Sequence, residues 1–355
     1  MQSIKSNALE PTRIELAGLS PMRRIGRLIP VYGLPILTVL LIIFFSLLLP
    51  TTFPTYLNFR SILADKAIIA LLALAAMVPM MAGRIDITVG FGIVMWHILA
   101  ILFQVKFGIP WPLAIVLVLI CAAVVGLING LLVEIAQIDS FIATLGTGTI
   151  LYGLALWVTG GRQVTGSLAD GFIALNTTSI AGIPIPALYV VVLAILLWVM
   201  AERLPLGRHI YAIGANEKAA ALNGIPVRRY VIGVFVGSAL IAGVAGCILA
   251  AKLRIGQANV GLDFLLPALV GAFLGSTTIK PGRVNVWGTV VGVLILAIGI
   301  SGIQQLGGAF FVEPIFNGTT LVLSIGLAAF AQRRRGMAKA GQGPAAEEPA
   351  KPPTA

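Results

Sequence analysis

Few side chains in this chain could do chemistry, and those few lie within or beside apolar runs. Asp86 stands in A-G-R-I-D-I-T-V-G at 82–90, two residues after Arg84. His97 follows Trp96, Asn129 sits inside another apolar run, and Gln304, Gln305 and Asn317 come near the C-terminal end. Charged and polar groups at membrane depth are costly enough to mark functional positions. His97, Asn129 and Gln304 are therefore expected along a polar path, or as links between helices. Asp86 is expected as an ion pair with Arg84, or as a cap accepting from the free amides near Thr88 and Val89. Hydrolytic chemistry finds no support, because G-x-x-x-x-G-K-[ST], H-E-x-x-H and G-x-S-x-G are all missing. Gly275-Ser276-Thr277-Thr278-Ile279-Lys280 lacks the second glycine and the Lys-Ser/Thr pair of a phosphate loop. No catalytic residue, cofactor or metal site is expected, so the chain is read as not an enzyme.

The residues best placed to act on something outside the chain lie in its longest polar passage, 201–230. Asn216 stands where an N-cap would, Glu217 and Lys218 follow, Ala219, Ala220 and Leu222 favour a helix, and Gly224 with Pro226 stops it. A helix of about two turns is marginal alone, since nucleation costs more than so few hydrogen bonds return. It must pack on its own protein, on lipid headgroups, or in a groove of a separate soluble partner.

The elements that position these residues are membrane spans. The chain has 355 residues, 58% hydrophobic and 10% charged, with a mean hydropathy of +1.01, against about 25% charged in an average soluble domain. The net charge of +11 does not imply nucleic acid, because the cations sit in loops and tails and form no basic stripe. Cys121 and Cys247 lie in apolar runs and behave there as small hydrophobes. At about 20 apolar residues per crossing, ten segments qualify or nearly do: 28–49, 67–83, 87–105, 111–133, 141–159, 182–201, 230–251, 264–275, 286–304 and 314–331. The first lacks a cleavage site and reads as a retained span. With the N-terminus inside, eighteen of the 24 Lys and Arg fall on the cytoplasmic side, as the positive-inside bias requires. Both termini and 216–224 are then cytoplasmic.

The fold expected is an all-α polytopic membrane protein of about ten transmembrane helices. A basic tail (1–27) precedes a permease domain (28–331) with a cytoplasmic loop (202–229), and a Pro- and Ala-rich tail without core-forming residues (332–355) follows. Ten spans invite a five-plus-five inverted repeat in which the third and the abnormally short eighth, F-L-L-P-A-L-V-G-A-F-L-G, are counterparts. Glycines four apart, at 233 and 237, 271 and 275, and 288 and 292, are read as close helix contacts.

Gly83, Arg84, Asp86, Thr88 and Gly90 lie in a stretch that looks like G-G-I-D-L-S-V-G, the signature of the membrane permeases of bacterial ribose, xylose, arabinose and galactose-type ABC importers. Thr144-Leu145-Gly146-Thr147, Thr159-Gly160-Gly161-Arg162-Gln163-Val164, the stretch 214–225, and Pro281-Gly282-Arg283-Val284 before Trp287-Gly288-Thr289 extend the resemblance over about 30–335. It implies a permease paired with a copy or paralogue, two cytoplasmic ATP-binding subunits, and a periplasmic sugar-binding protein. It also implies a bacterial inner-membrane location and a role for the helix at 216–224 in coupling to the ATPase. Arg84 departs from the second signature glycine, and Lys218 from a frequent second Glu. The alternatives are a permease for branched amino acids or nucleosides and a stand-alone ion-coupled carrier. A carrier would need buried carboxylates, and the spans hold almost none besides Asp86.

Overall fold

The computed structural model describes residues 21–308, 311–323 and 326. The expected tail 332–355 and residues 1–20 of the other tail lie outside these, while 21–27 already belong to the first helix.

The helices in chain order are α1 (Pro21–Leu48), α2 (Tyr56–Asp65), α3 (Ala67–Met81), α4 (Thr88–Val105), α5 (Trp111–Glu134), α6 (Ser140–Thr159) and α7 (Asp170–Thr177). After a hairpin of β1 (Ser179–Ile180) and β2 (Ile183–Pro184) come α8 (Ile185–Trp198), α9 (Pro205–Ala215), α10 (Glu217–Leu222), α11 (Val227–Leu253), α12 (Leu265–Leu274) and α13 (Val286–Gln305). A further helix, α14, covers 312–323. Small polar residues set several starts: Asp139 accepts from Phe141 N (2.9 Å) at α6, and Asn285 from Gly288 N (2.8 Å) at α13.

α3 is buried along nearly its whole length, so its apolar residues form no stripe. α11, α12, α13 and α8 pack around it. α11 is the hub, also lying against α4 and α5. Among the described residues six helices are long and apolar enough to cross a membrane, seven if α2 and α3, bent by 41° at Lys66, form one span.

Against the ten expected spans, the eighth of them short, the described residues thus give six or seven helices of crossing length. α3 has only 15 residues, about 22 Å of helix, and reaches across only together with α2. The segment 264–275 is a half-length helix, and the connection 160–181 contains α7 and half of a β-hairpin, a small departure from an all-α fold. The loop 202–229 carries a second helix, α9, whose buried Gly207, Ile210 and Ile213 recur at threes on one face.

Candidate functional site

One end of the bundle gathers the C-termini of α3 and α5, the start of α6, and α9 and α10. Asn216 caps α10, its Oδ1 accepting from Ala219 N (3.0 Å), and Gly224 closes the turn at φ +79°. Ala220 is buried against Val133, Ala143, Ile213, Val231 and Phe235. Glu217, Lys218, Ala219 and Ala221 are exposed, and Leu222 is 89% exposed. Ala220 therefore fastens the short helix to its own protein, while its outward face is exposed among the described residues. A cleft of about 620 Å³ beside it is lined by Glu134, Gln137, Asn216, Glu217, Lys218 and Arg228.

Arg84 ties this helix to the 82–87 loop, and not to Asp86. Its Nη2 donates to Glu134 Oε1 (3.1 Å) on α5 and to Glu217 Oε2 (2.8 Å) on α10. Gly83, at φ +74°, brings the loop against Gly214 at the end of α9: a Cβ on Gly83 would sit 3.5 Å from Gly214 Cα, and one on Gly214 would meet the Met81 carbonyl. The Glu134 side chain is 2% exposed and that of Glu217 is 47% exposed. Arg84→Gln alone would leave a buried carboxylate unpaired and should cost about 3–5 kcal/mol, whereas Arg84→Gln with Glu134→Gln should cost much less. Thermal melting of the two purified variants checks this: equal melting temperatures would mean that leaving the Glu134 carboxylate unpaired costs nothing.

Deeper in, Asp86 organises a polar core. Its Oδ1 accepts from Thr88 N (2.9 Å) and from the Thr88 hydroxyl, and its Oδ2 from Ser238 Oγ (2.9 Å) on α11. Thr88 Oγ1 also accepts from Asn129 Nδ2 (3.0 Å), and Asn129 Oδ1 accepts from Thr147 Oγ1 (2.7 Å). Four helices are thereby joined through groups whose polar atoms have partners, as a dry interior demands. Of the two local readings of Asp86, the capping one matches this geometry. Gly90 lies one turn on, against Leu265 of α12.

The other sequence-derived candidates fall elsewhere. His97 is fully buried, its Nδ1 at 3.0 Å from Ile93 O, and its Nε2 accepts from Gln257 N (3.2 Å). It holds a backbone segment in place. Gln304 is exposed at the opposite end and donates to Glu313 (3.3 Å), which pairs with Lys66 (3.0 Å). The structure does not bring it near Asn129.

Sequence reasoning missed Glu134, Ser238 and a second cluster in which Glu202 binds Lys280 (2.6 Å) and Arg283 (2.9 Å). Arg283 also stacks 3.5 Å over the Tyr211 ring, and the Tyr211 hydroxyl donates to Val284 O (2.8 Å). Burial pushes the Tyr211 phenol up, against the pull of Arg283, so it stays a donor. These partners lie some 70–80 residues apart in sequence, and no local spacing announces them. Among the described residues no cluster of His, Cys, Asp and Glu could hold a metal ion.

A polytopic apolar bundle with one exposed, capped helix fits a transport subunit, and comparison with known proteins decides the class. The model of a family described as "branched-chain amino acid transport system / permease component" matches residues 58–329. The chain belongs to that family. This permease component is 34% identical over 317 residues to the ribose import permease protein of Bacillus subtilis (strain 168), covering 89% of this chain and 95% of the relative. It is 27% identical to the D-allose transport system permease protein of Escherichia coli (strain K12), over 83% of this chain and 90% of the other. It is 29% identical to an Escherichia coli (strain SMS-3-5 / SECEC) autoinducer 2 import system permease protein, over 74% and 81%. No solved structure matches the chain. The family assigns this permease component to membrane transport, in agreement with its several apolar helices.

Proposed function

We propose that this chain is the permease subunit of an ABC importer that moves a monosaccharide or similar polyol across a bacterial inner membrane. Separate ATP-binding subunits drive it, two by the resemblance, and a periplasmic binding protein feeds it. A second permease, a copy or a paralogue, completes the route. The observation that carries this reading is likeness, over 89% and 83% of this chain, to relatives named for ribose and D-allose. The family description names branched-chain amino acids instead, and such a solute is the second reading.

The face formed by Lys218, Ala221 and Leu222 is the surface offered to an ATP-binding subunit. The threefold excess of Lys and Arg on this side of the chain supports a cytoplasmic position for it and for both termini. ATP-driven movement of α10 would shift the population between inward- and outward-open states by differential contact. We keep the ten-span inverted repeat as our reading of the architecture, with α12 the counterpart of α4, each set off from the preceding helix by a stretch without α-helix. Co-purification from detergent tests the central claim. A soluble ATPase should accompany the wild-type chain, and a chain that transports with no such partner would refute the importer in favour of a stand-alone carrier.

A further inference from the structure

α11 ends at Leu253, and the chain then re-enters the bundle before α12 begins. Residues 254–264 hold no α-helix, only a short 3₁₀ turn at Leu262–Phe264. Gly256 exchanges backbone hydrogen bonds with Val164 (2.8 and 2.9 Å), and its position is close to Ile98 and Ile101 of α4, where an added Cβ would lie 3.4 Å from Ile98 Cα. A Cβ on Gly261 would lie 2.8 Å from Val94 Cγ2, and Leu265 abuts Gly90. From Gly256 to Leu265 the segment therefore follows α4 from Ile101 down to Gly90. That path is about 16 Å at 1.5 Å per residue, roughly half of the ~30 Å apolar core. His97, in the middle of α4, holds the segment by accepting from Gln257 N.

Backbone without helical bonding occurs at membrane depth only where protein buries it or where it lines a water-filled cavity. Gly256, Ala258 and Gly261 are buried, but Asn259 and Asp263 are exposed at this depth. An exposed carboxylate against hydrocarbon would cost about 2.5–3.5 kcal/mol by insertion scales, so this stretch of the segment does not face lipid.

Resting on the importer reading, we infer that the re-entrant segment lines the solute route and that Asn259 and Asp263 contact a neutral polyhydroxyl solute in passage. The carboxylate accepts from solute hydroxyls, and the carboxamide both donates and accepts. A solute with neither charge nor aromatic faces needs only such groups.

Asn259→Cys and Asp263→Cys, each reconstituted in liposomes with the partner subunits, should react with a water-soluble cationic methanethiosulfonate. The unsubstituted chain supplies the background rate. Controls are Ile150→Cys on α6 and Val192→Cys on α8, positions 63% and 56% exposed on apolar helices. The two route positions should react about tenfold faster than the controls, because thiolates form in water and not in lipid. Their rates should differ about fivefold between nucleotide-free and vanadate-trapped states, as a gated route requires. Saturating D-ribose or D-allose should slow Asp263→Cys, and L-leucine should not. Labelling no faster than the controls overturns the route, as does labelling equal in both nucleotide states when the ATPase subunits have co-purified. Protection by leucine, or by neither sugar, overturns the solute class. Failure of the importer reading would appear separately, as the lack of any co-purifying ATPase, because labelling against the controls needs no partner.

Discussion

Replacing Glu217–Gly224 with a Gly/Ser segment of equal length should abolish uptake while the chain still inserts and folds. The replaced stretch crosses no membrane, and insertion depends on the apolar spans. Folding loses the burial of one small side chain, Ala220, on the order of 1 kcal/mol. It also loses the arm of Arg84 that reaches the half-exposed Glu217, where ion pairs contribute about 0–1 kcal/mol. The buried Arg84–Glu134 pair remains. What disappears entirely is the outward face of Lys218, Ala221 and Leu222, which is exposed among the described residues. Uptake by reconstituted transporter, ATPase co-purification and thermal melting measured together separate the outcomes. Wild-type uptake by the variant would refute a coupling role for α10, and a collapsed melting temperature would show that the helix is structural instead.

The second large effect concerns two helices that meet backbone to backbone. A Cβ added at Gly126 on α5 would sit 2.7 Å from Phe235 O and 2.8 Å from Val236 Cα on α11, and one at Gly130 would sit 2.8 Å from Ile232 Cα. The intruding atom meets main chain, which cannot rotate away, so Gly126→Leu must push α5 off the hub helix. We expect a loss of about 3 kcal/mol, the upper part of the range for overpacking. Gly233, also on α11, has nothing within 4 Å of such a Cβ, and Gly233→Ala should be neutral or stabilise by up to about 1 kcal/mol through helix propensity. Melting curves in detergent decide, and similar behaviour of the two variants would remove close α5–α11 approach as the explanation.

These glycines also show how far sequence spacing reaches. The pairs at 271 and 275 and at 288 and 292 do face one another: a Cβ at Gly288 would sit 2.6 Å from Gly275 O and one at Gly292 2.8 Å from Gly271 O. Gly233 and Gly237 have the same spacing without a close neighbour, while Gly126 and Gly130, equally spaced, approach α11 backbone to backbone. A four-residue interval tells that two positions share a helix face, but not which face another helix covers. The capped helix at 216–224 was legible because cap, formers and stop act locally, within one turn. Apolar runs located most of the bundle because crossing length is a property of the run itself. Asp263 escaped because it falls between the runs 230–251 and 264–275, where a loop outside the membrane is the natural expectation. Arg84 was visible as a departure, but its partners Glu134 and Glu217 come from elements 50 and 133 residues away, and only the fold brings them together.

The enclosure of α3 bears on the order in which the molecule is made. Its neighbours α8, α11, α12 and α13 all follow it in the chain, so more than a hundred residues must be synthesised before its surroundings begin to close. A helix of Ala, Leu, Ile and Met, with one Val and one Pro near its end, carries no charged or polar side chain and can wait in lipid, and its many alanines then admit later helices at short range. The early helix thus serves as a template on which the later half of the chain assembles.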